Sequence, residues 1–401
     1  MLENYKICGI ISEFNPYHLG HQTLVNQTRQ AGATHIIAIM SGNFVQRGEP
    51  ACFDKWVRTK AALSAGVDLV IELPLPWAIA GAEIFAKGGI TLANATGCIS
   101  QLSFGSECGD ITKLKNLANL LLTPDFSVSL QEQLKKGVSF ATARQQAAAN
   151  LTNQETAALL EQPNNILAIA YCKALKDANS SIVPFTIKRV GAAHNDAQPP
   201  QGLIASASQI RHMIFINQPF NAYIPKKTCS YLHEALCAKT APASLHTLET
   251  AILAKMRTMT INEFSKLPDV SEGLEHRLYQ GSKIASDLES FYRQVKTKRY
   301  SHARIRRIVL SALLGVQATH TAIQPPYLHV LGFNQQGKQI LKIMKQTASL
   351  PIVTQYRQIQ NLPLSTRILF DLECTATDLY YLSTPLPQPC GKELTHGIVK
   401  I

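Results

Sequence analysis

The sequence has few of the features that mark a secreted, membrane-bound or disulfide-linked protein. Its nine cysteines are scattered over 401 residues without a Cys-x-x-Cys pair, which favours neither a disulfide framework nor a cysteine zinc site. Its most apolar long stretch, residues 67–85, is interrupted by Asp68, Glu72 and Glu83, so no segment resembles a membrane span of about 20 apolar residues. The N-terminus shows no secretion signal. We therefore predict a cytoplasmic protein without a membrane partner.

Acidic residues are also scarce relative to basic ones. The chain has 27 Asp and Glu against 39 Lys and Arg, a net charge of +12. This excess favours a polyanionic partner, most commonly a nucleic acid, although charge alone leaves RNA, DNA and an effect on solubility open. A hydrophobic content of 46% indicates a globular protein with a substantial core, and the length favours two or three domains.

Short apolar runs alternate with helical segments in the first half of the chain. Near-continuous apolar strands of this kind are typical of a parallel sheet that is covered on both faces. We predict strands over residues 6–12, 35–40, 68–72, 99–104 and 181–187 and helices over residues 19–31 and 206–216. The predicted fold is α/β: a Rossmann-type parallel sheet in residues 1–215 with a helical insertion at about 111–180, followed by a mainly α-helical, basic region over 216–401.

One loop carries the strongest chemical signal, the sequence Asn15-Pro16-Tyr17-His18-Leu19-Gly20-His21 between the first predicted strand and helix. A helix N-terminus offers free N–H groups and a partial positive charge to phosphate, and Gly20 lets phosphate approach the backbone. His18 and His21 could donate hydrogen bonds as negative charge builds up at a phosphorus under attack. Two alternatives stay open: the histidines could be metal ligands, although no third ligand is evident, or simply polar residues at a helix start.

A second signal lies at the start of the helix predicted over residues 206–216. The sequence Ser206-Ala207-Ser208-Gln209-Ile210-Arg211 could hold outer phosphates or departing pyrophosphate through N–H groups, the Ser208 hydroxyl and the Arg211 guanidinium. A plain helix cap would look much the same. The histidine loop upstream favours the phosphate-binding interpretation.

These motifs resemble the nucleotidyltransferase superfamily of the H-x-G-H class and, more narrowly, the bacterial tRNA(Met) cytidine acetate ligases. The resemblance runs through most of the chain and thins out towards the C-terminus. It rests on the stretches GIISEFNPYHLGH (9–21), MSGNFVQRGEPA (40–51), KWVRTKAALSAGVDLVIELP (55–74), FGSECGD (104–110), PNNILAIAY (163–171), IKRVGAAHND (187–196), SASQIR (206–211), SEGLEHRL (271–278) and TKRYSHARIRRI (297–308). It implies a nucleotidyltransferase-like ATP-binding catalytic domain over 1–215 and a tRNA-binding C-terminal region.

The resemblance implies a two-step reaction. Acetate attacks the α-phosphate of ATP and gives acetyl-adenylate and pyrophosphate. The exocyclic amine of the wobble cytidine in elongator tRNA(Met) then takes the acetyl group, which forms N4-acetylcytidine and releases AMP. The wobble base lies in a single-stranded loop, where its edge is accessible. The expected partners are ATP as a substrate, acetate and elongator tRNA(Met), with Mg²⁺ accompanying ATP; neither DNA nor a dedicated metal site is expected.

The resemblance also assigns roles to residues. It gives His18 and His21 the stabilisation of the charged α-phosphate. It assigns ATP binding to Ile7, Cys8, Gly9, Ile10, Ile11, Ser12, Glu13, Phe14, Asn15, Pro16, Tyr17, His18, Leu19, Gly20, Gly105, Asn164 and Arg189. Without the resemblance, Asn164 could equally cap its helix, and Arg189 could be an exposed arginine at a strand end.

The stretch RQVKTKRYSHARIRR (293–307) is strongly basic. It has seven Lys or Arg and no acidic residue, and one-sign charge interleaved with Tyr300 and His302 suits RNA phosphates and base stacking. A basic surface helix is the alternative. The predicted tRNA-binding residues are Lys298, Arg299, Arg304, Arg306 and Arg307, whereas the mixed-charge segment 271–277 has no assignable chemical role.

Two other functions are compatible with these residues. An adenylyltransferase acting on a small cofactor precursor would have no need of the basic stretch. A non-catalytic ATP- and RNA-binding protein would tolerate the loss of His18 and His21.

Overall fold

The computed structural model describes residues 5–189, 205–271, 273–297 and 299–401. The N-terminal part alternates strands and helices: β1 (Ile7–Ser12), α1 (Leu19–Gln30), β2 (His35–Ser41), β3 (Phe44–Val45), β4 (Glu49–Pro50), α2 (Lys55–Ser64), β5 (Leu69–Leu73), α3 (Leu75–Ala78), α4 (Ala82–Ala95) and β6 (Gln101–Ser106). A helical insertion then leads to the next strand: α5 (Ile111–Leu120), α6 (Pro124–Lys135), α7 (Phe140–Leu151), α8 (Gln154–Ala158), α9 (Pro163–Asp177) and β7 (Val183–Lys188).

The remainder of the chain is mainly helical. Its helices and strands are α10 (Ala207–Phe215), α11 (Lys226–Cys237), α12 (Glu249–Thr258), α13 (Ile261–Ser265), α14 (Leu274–Ile284), α15 (Leu288–Val295), α16 (His302–Leu314), β8 (Leu328–Phe333), α17 (Gln335–Thr347), β9 (Ile352–Val353), α18 (Tyr356–Ile359), α19 (Leu364–Leu382), α20 (Lys392–Thr395) and β10 (Val399–Lys400). Within the described ranges, no helix combines the length and the apolar character needed to cross a membrane.

The central sheet has the strand order β10-β8-β5-β2-β1-β6-β7, with β9 paired to β8. Strands β5, β2, β1, β6 and β7 run parallel, in registers such as Ile7 opposite His35 and Gln101 opposite Val183. Every residue of β2 and β5 is buried, which explains their continuous apolar sequence because helices cover both faces. The predicted α/β fold with a mostly parallel sheet is confirmed.

The C-terminal part also extends this sheet. Strand β8 pairs antiparallel with β5, and β9 and β10 pair with β8. We predicted a mainly helical region here and no strand. Strands β9 and β10 are only two residues long, whereas β8 has six residues. The sheet therefore joins residues on both sides of position 215, and a domain boundary at that position stays a prediction.

Two apolar layers flank the sheet because successive side chains of a strand point to opposite faces. Ile37 and Ile39 belong to the layer that includes α4 and α9, whereas Ala38 and Met40 belong to the layer that includes α2 and α19. A separate cluster joins α12, α14, α15 and α16. The helices of the basic region therefore have a core of their own.

The chain order of the strands indicates a ligand-binding position at the carboxyl ends of the parallel strands. The chain passes from β1 to β2 and β5 on one side and later returns to β6 and β7 on the other side of β1. Ligands of open α/β sheets bind outside the carboxyl ends of the strands at such a switch point. The loop after β1 and the ends of β6 and β7 all lie there.

Candidate active site

A cavity of about 210 Å³ lies at the carboxyl ends of β1 and β6. Its wall comes from the loop after β1, the β3–β4 hairpin, the end of β6 and the first turns of α9 and α10. The lining residues are Ile11, Ser12, Glu13, Phe14, Asn15, His18, His21, Leu24, Gln46, Arg47, Phe85, Phe104, Gly105, Pro163, Asn164, Leu167, Tyr171, Arg189, Ser206, Ala207 and Arg211. We call it the switch-point cavity.

Hydrogen bonds to the backbone fix the two histidine rings. His18 is the N-cap of α1, and its Nδ1 accepts a hydrogen bond from the Gly20 N–H at 3.0 Å. The His21 Nδ1 accepts a hydrogen bond from the His18 N–H at 3.3 Å, and the two ring centroids are 3.9 Å apart. Because each Nδ1 is an acceptor, each neutral ring carries its proton on Nε2. The motif therefore supplies two neighbouring Nε2–H donors.

The electrostatic surroundings keep both rings neutral at physiological pH. Burial lowers the pKa of His18 to about 3, with further contributions from the nearby charges of Arg189 and Arg211. Burial, the proximity of His18 and the charge of Arg189 lower the pKa of His21 well below its usual value. A neutral imidazole still donates from Nε2.

The charged residues of the wall favour an anionic ligand. Its cations are Arg47, Arg189 and Arg211, and Glu13 is the only carboxylate among the described lining residues. Burial raises the pKa of Glu13, whose Oε1 already accepts a hydrogen bond from the Gln46 N–H at 2.8 Å. The excess of guanidinium groups in a confined cavity is typical of phosphate binding.

The second sequence signal lies against the histidine loop. The Arg211 Nη1 donates to the carbonyl oxygen of Asn15 at 2.8 Å, and the Ser208 Oγ accepts from Arg47 at 3.0 Å and from Arg211 at 3.4 Å. The helix cap is formed by Ser206, whose side chain accepts from the Gln209 N–H. Helix capping therefore explains the contact made by the Ser206 side chain, but it does not explain the contacts made by Ser208 and Arg211.

A buried arginine supports the loop after β1. Arg58 is fully buried and donates to the carbonyl oxygens of Glu13 at 2.6 Å, Ser41 at 3.1 Å and Phe53 at 2.9 Å. The Asn15 Oδ1 accepts from the Cys52 N–H at 2.8 Å. These bonds tie the loop to β2 and to the start of α2, which holds the histidines in a fixed position.

The downstream residues predicted to bind ATP also reach this cavity. Gly105 faces Arg189 so closely that a Cβ at position 105 would lie 3.1 Å from the Arg189 Cγ. The Asn164 side-chain amide donates to the Glu107 Oε1 at 2.6 Å, and the Asn165 N–H donates to the Glu107 Oε2 at 2.7 Å. Because Glu107 satisfies the start of α9, capping does not explain the side chain of Asn164.

Some residues of the predicted ATP-binding segment lie behind the cavity. Ile7, Cys8, Gly9 and Ile10 are buried strand residues, and burial raises the pKa of the Cys8 thiol to about 11. Pro16, Tyr17, Leu19 and Gly20 likewise shape the loop and the first turn of α1 without lining the described wall.

The sequence analysis gave no role to several wall residues. Arg47 lies in the quoted stretch 40–51, in the β3–β4 hairpin that follows β2, and its place in a loop beyond the carboxyl end of a parallel strand was an available signal. Apolar wall residues carry no such signal, because in sequence they look like core residues: Leu24, Phe85, Phe104, Leu167 and Tyr171.

One group of potential metal ligands lies together in the described part of the chain. Oxygen and nitrogen atoms of Glu72, His329 and Glu393 come within 4.8 Å of one another. The Lys55 ammonium already contacts the carboxylates of Glu72 and Glu393, each at 2.7 Å. We interpret the group as a buried ion-pair network around Lys55, which joins α2 to β5 and α20.

The basic stretch contacts other elements through its arginines. Arg304 donates to the Asp269 carbonyl oxygen at 2.8 Å and lies 5.1 Å from the Tyr300 ring, and Arg307 pairs with the Asp269 carboxylate at 3.1 Å. Together with Arg144 and Arg299 they line a second cavity of about 580 Å³ beside the start of α4. Arg306 lies 5.8 Å from the Tyr292 ring, and Lys298 lies outside the described residues.

Comparison with known proteins agrees with the motifs. The model of the HIGH Nucleotidyl Transferase family matches residues 5–393. The chain is 40% identical to the tRNA(Met) cytidine acetate ligase of Thermoanaerobacter sp. (strain X514), over 98% of this chain and 100% of that protein. The chain belongs to the tRNA(Met) cytidine acetate ligase family. A second family member, from Alkaliphilus metalliredigens (strain QYMF), is 38% identical over 94% of both chains.

Solved structures of this family share the complete fold. The apo crystal structure of Thermotoga maritima TmcAL has a TM-score of 0.94 and 32% identity over 99% of both chains. A crystal structure of the same protein bound with alpha-thio ATP has a TM-score of 0.92, covering 98% of this chain and 99% of that chain. The family resemblance predicted from the motifs is confirmed.

Proposed function

We propose that this chain is a cytoplasmic tRNA(Met) cytidine acetate ligase that uses ATP and acetate to form N4-acetylcytidine at the wobble position of elongator tRNA(Met). The observation that carries this proposal is the switch-point cavity, where His18 and His21 lie among the guanidinium groups of Arg47, Arg189 and Arg211. Relatives with this name match almost the entire chain, which makes the tRNA ligase a better explanation than an adenylyltransferase for small molecules.

In the first step, the histidines stabilise charge on ATP. An acetate oxygen attacks the α-phosphorus, and the bond to the bridging oxygen of pyrophosphate breaks. The Nε2–H groups of His18 and His21 donate to the α-phosphate oxygens, where negative charge increases in the transition state. Loss of one such donor typically costs ~2.7–4 kcal/mol of barrier. Neutral rings suit this role because they need no counter-ion before ATP binds.

The remaining wall residues position the nucleotide. Arg211 and Arg47, bridged by the Ser208 hydroxyl, are placed to hold the β- and γ-phosphates that leave as pyrophosphate. The apolar side chains of Phe85, Phe104 and Tyr171 are suited to pack against adenine, and the Asn164 side chain to read its edge.

Mg²⁺ fits this site as a companion of the nucleotide. Mg²⁺ prefers oxygen ligands and usually keeps several waters. Glu13, the sole carboxylate on the described wall, is already hydrogen bonded to Gln46. We therefore propose that the other oxygen of Glu13 is the protein group of the described wall that would hold the ion, which would lower the charge repulsion between ATP and acetate.

In the second step, the acetyl group passes to the tRNA. We propose that the basic residues around α16 hold RNA phosphates. These residues are Arg299, Arg304 and Arg307, which line the cavity of about 580 Å³ described above. Phosphate contacts fix the position of the RNA and leave recognition of the base to another part of the site.

The test is an assay with labelled acetate, ATP and total bacterial tRNA, followed by nucleoside analysis. Wild type should place label in N4-acetylcytidine of elongator tRNA(Met), and His21→Ala should lose about 100-fold or more in rate. His233→Ala, at an exposed histidine of α11 outside the quoted motifs, is the matched control and should retain full activity. Label in a small acceptor instead of RNA would support an adenylyltransferase, and full activity of His21→Ala would contradict the proposed role of the histidine pair.

A further inference from the structure

A further cavity, of about 290 Å³, lies next to the switch-point cavity. Arg211 lines both cavities. The walls of the further cavity come from the β3–β4 hairpin and α10 on one side and from α15 and α16 on the other. We call it the acceptor cavity and define it by Glu49, Arg211, Leu288, Tyr292 and Arg306.

Two polar atoms of this cavity are buried without hydrogen bonds. In the described part of the chain, neither the Glu49 Oε1 nor the Tyr292 hydroxyl has a hydrogen-bond partner, although Tyr292 is only 3% exposed. The Glu49 Oε1 forms a long ion pair with the Arg211 Nη2, at 3.4 Å. Buried polar atoms are nearly always hydrogen bonded, so the Tyr292 hydroxyl, together with a Glu49 oxygen held by this ion pair alone, indicates a ligand with hydrogen-bonding groups of its own.

The cavity also has the surfaces that a nucleobase requires. Leu288 and Phe215 supply apolar area, and the Arg306 guanidinium lies 5.8 Å from the Tyr292 ring. Single-stranded bases are held by stacking on aromatic rings or arginine planes and by hydrogen bonds along their Watson–Crick edges. The wall has three carboxylates, Glu49, Glu249 and Glu289. Glu249 already accepts a hydrogen bond from the Leu288 N–H, and Glu49 is the one that pairs with Arg211. Glu49, the Tyr292 phenol and the Arg306 guanidinium provide these contacts together.

We propose that the acceptor cavity binds the wobble cytosine and that the Glu49 carboxylate accepts the proton of its reacting amine. The proposal rests on the function proposed above. Cytosine presents an amine donor beside the acceptors N3 and O2, which match Glu49 and the donors Arg306 and Tyr292. Uracil places a carbonyl oxygen where cytosine has its amine. That oxygen would face the carboxylate, so the cavity discriminates against uracil.

The position of this cavity suits the chemistry of acetyl transfer. The lone pair of the cytosine N4 attacks the acetyl carbonyl carbon of acetyl-adenylate, and the bond between that carbon and the phosphate oxygen breaks. AMP leaves with the electron pair, and N4 transfers one proton to Glu49, which later releases it to water. Pyrophosphate, which Arg211 holds in the first step, has left before acetyl transfer, and Arg211 borders both cavities. The amine in the acceptor cavity therefore approaches the acyl phosphate in the switch-point cavity beside this side chain.

The first test uses Glu49→Gln and separates the two half-reactions. Acetyl transfer to tRNA should fall about 100-fold, the lower end of what a positioned general base contributes. Acetate-dependent exchange of labelled pyrophosphate into ATP should change less than about fivefold, since a partly exposed ion pair contributes little. Retained exchange also shows that the variant is folded. Glu132→Gln, at an exposed position of α6, is the control and should behave as wild type in both assays.

The second test uses Tyr292→Phe, which removes only the unpartnered hydroxyl. The free protein should keep its stability, because no hydrogen bond is lost, whereas the KM for tRNA should rise roughly three- to tenfold. Unchanged acetyl transfer in both variants, or equal losses in both half-reactions of Glu49→Gln, would overturn the proposal. Absence of acetate-dependent exchange in wild type would instead contradict the proposed function itself.

Discussion

The neutral state of His18 leads to a measurable dependence of stability on pH. His18 is only 4% exposed, and burial lowers its pKa to about 3 from its usual 6.5. Above pH 6.5 the folded and unfolded chains both hold the ring neutral, so it has no effect on the pH dependence. As pH falls below 6.5, the unfolded chain gains a proton that the folded chain does not, and the folded state loses stability.

The magnitude follows from the difference in proton binding. At pH 5 the unfolded imidazole is almost fully protonated and the folded one is almost fully neutral. With about 1.36 kcal/mol for each pH unit between the unfolded pKa and the solution, the free energy of unfolding should fall by about 2 kcal/mol between pH 7 and pH 5 through this residue alone. His18→Asn removes the titrating ring and keeps a side-chain acceptor for the Gly20 N–H, since Asn is a favourable N-cap.

The assay is urea denaturation of the ligand-free protein at pH 7 and pH 5, with the first unfolding transition used for each variant. Between pH 7 and pH 5, the free energy of unfolding of His18→Asn should fall by about 2 kcal/mol less than that of wild type. Gln27→Asn, at an exposed position of α1, introduces an asparagine into the same helix and removes no histidine, and its loss of unfolding free energy on acidification should match that of wild type. Equal pH dependence in wild type and His18→Asn would refute the burial of a neutral ring at the start of α1.

Two further predictions concern the buried ion pairs and the basic cleft. Lys55→Met should lower the free energy of unfolding by about 3–5 kcal/mol, because Glu72 and Glu393 lose the ammonium that neutralises them. Chemical denaturation measures this free energy. An unchanged value would show that the Lys55 ammonium does not stabilise the two buried carboxylates. Arg299→Gln should reduce the slope of log affinity for tRNA against log salt concentration by about 1. Filter binding at several salt concentrations measures this slope, with the exposed Arg367→Gln as the control that should leave it unchanged.

Local patterns were sufficient to predict the parallel half of the sheet. Strands β1, β2 and β5 lie where near-continuous apolar runs placed them, because a strand covered on both faces has mostly apolar side chains. Strand β8 was missed although its residues are largely buried. Its partner β5 is more than 250 residues away in sequence, and no local signal specifies an antiparallel pairing at that separation.

The sequence likewise predicted those parts of the candidate active site that depend on neighbouring residues, and not those that depend on the tertiary fold. The turn chemistry around His18 and Gly20 is local, and it was readable from neighbouring residues. Arg47 joins the site through the Ser208 hydroxyl, a contact set by the tertiary fold. The two cavities depend even more on tertiary structure, since a carboxylate such as Glu49 becomes unusual only when helices from the C-terminal part enclose it.

The β3–β4 hairpin links the two cavities and the basic helix. Arg47 faces the switch-point cavity and Glu49 the acceptor cavity, and between them Gly48 has a φ of 77°. A Cβ at position 48 would lie 2.7 Å from the backbone of Arg306 and Arg307 in α16, so only glycine permits both the backbone conformation and this close packing. The positions of the two functional side chains are therefore fixed by α16. The proposed RNA-binding arginines are on or next to this helix. The same helix therefore positions both the residues that contact RNA and the hairpin residues that act in acetyl transfer.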